Sequence, residues 1–326
     1  MPRSTPDTDA NQASLEAAWT IVLAASRAAE DAAVADTPRA FGVATDGTLV
    51  HMSDDDPLAV MAWRPGSGWD LRLSATDPRR ALIDLYLPIA SASSKRPLTV
   101  GHLGQSLDGF IATHSGESQF VTGEENILHL HRMRALCDAV VVGAGTVAAD
   151  DPQLTTRRVP GRSPLRVVLD PARRLGNHYK VFTDDSADTL YICTTGLVGP
   201  GETHFGQATI SAVSDSPGGM DAAAVLQLLW QRGCHRVFVE GGGVTVSMFL
   251  EADLVDRLQV AIAPLIIGNG RPAIRLSPRS ALSECRRPRY RVFRMGGDVF
   301  FDCDLRDVGE GPEEGAEEQP LVGRII

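Results

Sequence analysis

Apolar residues recur in two different rhythms along the chain. Residues 1–12 are polar and are expected to be disordered. From Ser14 to about Val34 the sequence is rich in Ala, with Leu15, Trp19, Val22 and Leu23 at helical spacing, which predicts a helix. From about Phe41 to Leu73 the alternation is irregular and punctuated by Gly and Asp, as in short strands joined by turns. Ala81–Ile89 is a further apolar element, strand or helix. The segment SASSKRP, ending at Pro97, reads as a linker and puts a boundary near residue 96.

Beyond the linker the rhythm changes. Strands are predicted at Leu98–Leu103, Asp138–Val142, Leu165–Leu169, Thr189–Cys193, Ala208–Ser211, His235–Val239 and Arg257–Ile262, with a final hairpin around Gly296-Gly297. Thr122 and Glu125 form a T-x-x-E capping box that should open a helix running to about Leu136. Asp221–Arg232 and Val244–Ala252 are two more helices. Alternating strands and helices predict an α/β fold with a mixed, mostly parallel sheet flanked by helices. The expected division is a small N-terminal α/β appendage over 1–96, a main domain over 97–306 and an acidic, solvated tail over 307–326.

Composition narrows the function. Hydrophobic residues make up 43% of the chain, enough for a full core, and the formal charge is −10, against a general nucleic-acid or anionic-membrane binder. No apolar run approaches the length of about 20 residues that a membrane helix needs, and the start lacks the basic region of a secretory signal. Cys137, Cys193, Cys234, Cys285 and Cys303 are scattered and odd in number, which predicts free thiols in a cytoplasmic protein and no cysteine-rich zinc site.

Three segments carry candidate chemistry. In VVVGAGTVAAD, Gly143 and Gly145 follow an apolar strand in a G-x-G-x-x-G/A pattern, which serves either a dinucleotide phosphate or a plain strand-to-helix turn. In VFVEGGGVTVSMFLEA, a strand ends at Glu240 and Gly241, Gly242 and Gly243 precede a helix. That turn is free of side chains and predicts a phosphate cradle, with Glu240 at the crevice or as an exposed strand-end carboxylate. Between His102 and Arg134, Asp108 reads as a turn residue bonding local backbone. Arg134 either complements its helix C-terminus or joins one of Arg157 and Arg158 on a phosphate. His129 and His131, two apart on a helix, are poor metal partners, and no metal is expected. H-x-E, G-x-S-x-G and Walker A motifs do not occur.

Taken together, GQSLDGFIATHSGESQFVTGEE, HRMRALCDAVVVGAGTVAADDPQLTTR, PLRVVLD and VFVEGGG followed by FLEADLVDRLQVAIAPLIIG resemble the reductase domain of the riboflavin-pathway deaminase–reductase family, from about residue 97 to about 305. The resemblance implies a dihydrofolate-reductase-like fold, a homodimer, and NADPH-dependent reduction of 5-amino-6-(5-phosphoribosylamino)uracil, with hydride going to the ribose C1′. It implies cofactor contacts at Gly104, Phe120, Gly143, Gly145, Thr146, Asp150, Gly241, Gly242, Gly243, Val244, Thr245, Val246, Ser247 and Met248. Substrate contacts are implied at His102, Ser118, Arg134, Leu154, Arg157 and Glu240. His102 stands where a lysine is usual, Phe120 replaces a common Trp, and residues 1–96 lack deaminase ligands. Those departures keep two alternatives: a same-fold reductase of another pterin-like or heteroaromatic substrate such as dihydrofolate, or a non-catalytic sensor of NADPH or a flavin precursor. Candidates for a general acid are His102, Asp108 and Glu240.

Overall fold

The computed structural model describes residues 6–44, 47–216 and 219–306. The chain divides into two compact units, Met1–Leu98 and Thr99–Ile326. The first contains helix α1 (Pro6–Ala35), strands β1 (Arg39–Val43), β2 (Leu49–Met52), β3 (Met61–Arg64) and β4 (Gly68–Leu71), and helix α2 (Arg80–Ala90). The strands form an antiparallel sheet in the order β2-β1-β3-β4. The helix expected from Ser14 thus begins earlier, on Pro6, a residue whose missing N–H costs a first helical turn nothing. The rest of the expected disordered start, residues 1–5, and the tail from 307 lie outside the described residues. Ala81–Ile89 falls within a helix.

This small unit holds its own core. Trp19, Ile21, Val22 and Ala25 of α1 are buried, as are Leu82, Ile83, Tyr86 and Ile89 of α2. Trp19 meets Tyr86 edge-on at 5.4 Å. Trp69 packs edge-on against both Phe41 and Trp63, at 5.2 and 5.0 Å, and its indole N–H donates to the Ala25 carbonyl at 3.1 Å.

The second unit carries β5 (Leu98–Ser106), β6 (Phe110–Thr113), α3 (Glu124–Leu136), β7 (Ala139–Gly143), α4 (Ala144–Asp150), β8 (Leu165–Leu169), α5 (Lys180–Thr183) and β9 (Thr189–Thr194). There follow β10 (His204–Phe205), β11 (Ala208–Val213), β12 (Asp215–Ser216), β13 (Gly219–Met220), α6 (Ala222–Gln231), β14 (Arg236–Glu240) and α7 (Gly243–Glu251). Last come β15 (Arg257–Ala263), β16 (Gly270–Pro272), a 3-10 turn at Leu282–Glu284, β17 (Arg289–Met295) and β18 (Asp298–Asp304). Ten strands form one sheet in the order β10-β11-β9-β8-β7-β14-β5-β15-β18-β17. The run β11-β9-β8-β7-β14 is parallel, as is β5 with β15, while β10, β18 and β17 join antiparallel at the edges. Val140, Val141, Val142, Val167, Val168, Val237, Phe238 and Val239 are fully buried, as strands covered on both faces must be.

The helix ends show where local rules hold. Asp221 caps α6, its carboxylate accepting from Ala223 and Ala224 N–H at 2.9 and 3.1 Å. The capping box expected at Thr122 does not form. Gly123 is the N-cap of α3, with no side-chain cap bond, and its N–H donates to Asp298 at 2.8 Å. The Thr122 hydroxyl instead accepts from the Asn126 amide at 2.9 Å. A partner from the β17–β18 hairpin has replaced the local one. The apolar strand Leu258–Ile262 lies in β15, which is paired along both edges, by β5 and β18.

A buried ion cluster joins the last two central strands. Arg257 grips Asp302 with two bonds of 2.6 and 2.8 Å, and Arg291 adds a third at 2.6 Å. Asp302 is fully buried. Burial opposes both charges, yet the Arg257 pKa is raised and the Asp302 pKa lowered, because each sits against its opposite charge. Asp302→Ala would take from Arg257 its fully buried counter-charge, leaving the partly exposed Asp304 at 3.1 Å, and a loss of about 3–5 kcal/mol in unfolding free energy is expected. Urea denaturation checks it; a loss below about 1 kcal/mol would show that the cluster is dispensable.

Candidate functional site

The parallel strand ends open onto a cleft of about 720 Å³. Gly104 of β5, Gly143 of β7, Leu169 of β8 and Glu240 of β14 all line it. Its position follows from the topology. β14 is inserted between β7 and β5, so connections leave the neighbouring strand ends in opposite directions and a crevice is left between them.

The three glycines after Glu240 do different work. Gly241 and Gly242 have φ of 98° and 26°, the left-handed side that suits glycine, and both line the cleft. A Cβ on Gly242 would stand 3.2 Å from the Thr146 hydroxyl. Gly243 is constrained from behind: a Cβ there would meet the Ala273 carbonyl oxygen at 2.0 Å. Helix α7 has no side-chain cap, so the Gly243 and Val244 N–H groups are left for solvent or an anion, while the Thr245 N–H donates to the Gly242 carbonyl at 3.0 Å. Across the turn, a Cβ on Gly143 would meet the Thr245 hydroxyl at 2.4 Å, whereas Gly145 faces open space. The G-x-G pattern is therefore half structural.

Glu240 is buried, not an exposed strand-end carboxylate. Both its oxygens accept from Arg134, through Nε at 2.7 Å and through Nη2, and Arg134 Nη1 reaches the Thr155 carbonyl at 3.2 Å. The two residues are 7% and 8% exposed. This changes the expected role of Arg134. Its fork is filled by Glu240, and it stands behind the cleft wall. Arg157 is likewise off the lining but exposed, its backbone N–H on His131 Nδ1 at 3.1 Å and its Nη1 on the Thr155 hydroxyl at 2.8 Å. Arg158 turns away onto Glu124. The concentration of cations is felt locally. Burial and then Arg134, Arg157 and Arg158 push His131 down to about 4. Burial and then Arg134 lower the Arg157 pKa.

Two of the three general-acid candidates hold no proton to give near neutrality. His102 is buried at 3% exposure, and burial drives its pKa to about 3 against a smaller opposite pull from Asn126. Asp108 is held down to about 2 by the Ser106 hydroxyl first, and then by the N–H groups of Gly268 and Ile267. Its backbone partners are not local, as a turn residue's would be. They tie a loop 159 and 160 positions away.

Ser118, Thr146, Asp150, Leu154, Val244, Thr245 and Met248 line the cleft, and Leu154 holds a left-handed φ of 57° there. Three expected cofactor contacts do not. Phe120 is 83% exposed and off the lining, while Val246 and Ser247 are buried behind it. A helix turns 3.6 residues per cycle, so consecutive residues of α7 cannot all face one ligand. Asn126, Arg174, Arg271 and Arg275 also line the cleft, outside any motif in the sequence. For Asn126 a signal existed: Asn126, Leu130 and Arg134 are spaced by four along one face of α3.

The RibD C-terminal domain family model matches residues 99–292. The chain belongs to that family. It is 33% identical over 218 residues to the 2,5-diamino-6-ribosylamino-4(3H)-pyrimidinone 5′-phosphate reductase of Methanothermobacter thermautotrophicus, covering 65% of this chain and 99% of that protein. It is 31% identical over 212 residues to the riboflavin biosynthesis protein RibD of Aquifex aeolicus, covering 64% of this chain and 58% of that longer protein. The crystal structure of the Thermotoga maritima deaminase/5-amino-6-(5-phosphoribosylamino)uracil reductase superposes with a TM-score of 0.53 at 27% identity, over 69% of this chain and 61% of that one.

In this RibD C-terminal domain the Arg134–Glu240 pair spans α3 and the end of β14, beside the cleft. Arg134→Ala would leave the Glu240 carboxylate buried without a counter-charge. A stability loss of about 3–5 kcal/mol is expected alongside any kinetic effect. Thermal or denaturant unfolding separates this from a pure substrate anchor, whose removal would leave stability unchanged.

Proposed function

We propose that the chain is a riboflavin-pathway reductase that transfers a hydride from NADPH to C1′ of a ring-opened ribosylamino-pyrimidine phosphate, giving the ribitylamino product. The observation that carries the reading is the cleft at the strand ends, with a side-chain-free helix start on one side and the Arg134-held Glu240 beside it. The pyrimidinone phosphate reductase named among the relatives, matched over almost its whole length, supports it. Arg174, Arg271 and Arg275 on the lining add positive charge where a dinucleotide phosphate would lie. Residues toward NADPH are Gly104, Gly143, Thr146, Gly241, Gly242, Val244 and Thr245. The cofactor supplies the hydride when bound.

The chain's own residues bind and orient. Glu240 is held rigid by Arg134, so it offers the substrate's hydroxyl or amine end a fixed acceptor. Arg157, tied only through Nη1, keeps donors for the ribose phosphate, and the positive field that depresses His131 favours the anion. The proton that the reduced C–N unit takes up comes from water, since His102 and Asp108 do not hold one to give and Glu240 is the carboxylate partner of Arg134. The reading includes a cytoplasmic setting, consistent with five free cysteines, and a homodimer, for which the exposed Leu265 and Ile266 give an apolar surface. No described helix is long and apolar enough to cross a membrane.

Gly242→Val is expected to abolish NADPH binding in a protein that still folds, since the added side chain crowds Thr146 at a φ that only glycine tolerates well. Fluorescence titration with NADPH reads this directly, and normal affinity in the variant would dismiss the cradle. Arg157→Ala is expected to raise the substrate KM by roughly 10–100-fold, the worth of a charge-assisted contact of about 1.5–3 kcal/mol. NADPH affinity should be nearly unchanged. Product analysis with purified protein, NADPH and a panel of pyrimidines and pterins tests the reaction itself. Reduction of dihydrofolate alone would replace the reading with the same-fold alternative.

A further inference from the structure

Asp108 does not line the cleft, yet three donors converge on its carboxylate. The Ser106 hydroxyl donates to Oδ1 at 2.5 Å, the Ile267 N–H reaches the same oxygen at 3.1 Å, and the Gly268 N–H reaches Oδ2 at 2.7 Å. Ser106 is fully buried, and its oxygen also accepts from the Phe110 N–H at 3.1 Å. Gly109 closes the turn at a φ of 85°, its N–H on the Ser106 carbonyl at 3.1 Å. The turn therefore aims the carboxylate outward, at the backbone of another segment.

That segment is residues 264–275. It leaves β15 at its carboxyl end and returns as β16 against β6. Two backbone bonds flank the Asp108 contact: the Leu107 N–H donates to the Leu265 carbonyl at 2.8 Å, and the Ala273 N–H to the Gly109 carbonyl at 2.9 Å. The far end of the segment braces α7. A Cβ on Gly243 would meet the Pro272 and Ala273 carbonyl oxygens at 2.6 and 2.0 Å, and the Arg275 N–H donates to the Ser247 hydroxyl at 2.8 Å. Between these anchors Arg271, Pro272 and Arg275 line the cleft. A Cβ on Gly116 would stand 2.6 Å from the Arg271 guanidinium, so this side chain reaches across to the loop after β6.

One wall of the cleft is thus a strap, and the S-L-D-G turn is its buckle. A carboxylate suits the task because it offers two oxygens and no donor to two consecutive N–H groups. An amide of the same shape would turn its own N–H groups toward one of them. The same donors hold the Asp108 carboxyl down to about 2, so the grip stays charged through the neutral range. Resting on the reductase reading above, we propose that Asp108 is a positioning residue for the dinucleotide. By fastening residues 264–275 it seats Arg271 and Arg275 on the cleft wall and braces the first residue of α7. It sets cofactor affinity without touching cofactor or substrate.

The test is fluorescence titration of NADPH into the full chain and into its Asp108→Ala variant. The kcat at saturating NADPH is measured beside it, with urea denaturation to establish that each protein is folded. Releasing the strap lowers the fraction of molecules whose wall is in place, and the apparent Kd rises by the same factor. A rise of about tenfold or more is expected, with kcat at saturation within about twofold of native. Amide hydrogen exchange should quicken at Ile267, Gly268 and Ala273. Because Asp108 acts through the strap, adding Arg271→Ala to Asp108→Ala should cost less affinity than Arg271→Ala costs the native chain. Asp108→Asn keeps one acceptor and is expected to raise Kd by less; it decides the question if the alanine variant does not fold. A folded variant with native Kd overturns the proposal, and a fall in kcat at native Kd would put Asp108 in the chemical step instead. Strict additivity with Arg271→Ala would overturn action through the strap. A native chain that does not bind NADPH sinks the reductase reading itself, and this inference with it.

Discussion

The bidentate contact between Arg134 and Glu240 is the constraint around which the site is arranged. One partner sits in the last turn of α3 and the other ends β14, so the contact fixes a helix across the end of a central strand. The glycine turn starts at the next residue, and α3 carries Asn126 two turns earlier. A buried pair of this kind adds little net stability over apolar packing, but it tolerates only one geometry, since a displaced partner is an uncompensated charge. Its value here is directional. A carboxylate held by two parallel bonds cannot rotate, and anything that binds beside it meets the same two oxygens in the same place.

A second polar chain runs beneath the first. Arg257 and Arg291 fix Asp302, Asp302 takes the Gln259 amide, Gln259 takes His129, and His129 packs against His102. Apart from the half-exposed Arg291 each link is buried, and each removes a rotational choice from the next. The His102 ring reaches the cleft floor with its orientation settled by residues of β15 and β18, which themselves do not line the cavity. Such networks are costly when broken and specific when complete.

The strands could be read from the sequence because fully buried β-segments are short apolar runs, and Leu165–Leu169 agrees residue for residue. Helix starts were less legible. Thr122 and Glu125 have the local spacing of a cap, but Asp298, 175 positions away, supplies the bond. The site was legible as residue types and less so as partnerships. Glu240 and the glycines stand out by position, and Arg134 by its charge. That Arg134 spends its fork on Glu240 depends on how α3 crosses β14, which no spacing encodes. Phe120 is an aromatic whose exposure at a left-handed φ of 64° no spacing announces. Asn126 was missed because a single amide on a helix is ordinary until its carbonyl is found buried without a partner.

The strand order has a consequence for how the molecule is made. β5 is synthesised first among the central strands, yet its two neighbours, β14 and β15, are among the later ones, and its Thr99 N–H finds Asp256 across 157 positions. A ribosome releases β5 long before either flank exists. The nascent chain therefore carries a strand with two unpaired edges, a template for mispairing until the carboxyl-terminal third arrives. Non-local closure of this kind is slow. The cleft is completed late: its floor is laid by the first central strand, and its lining runs on to Arg275, past β14 and β15.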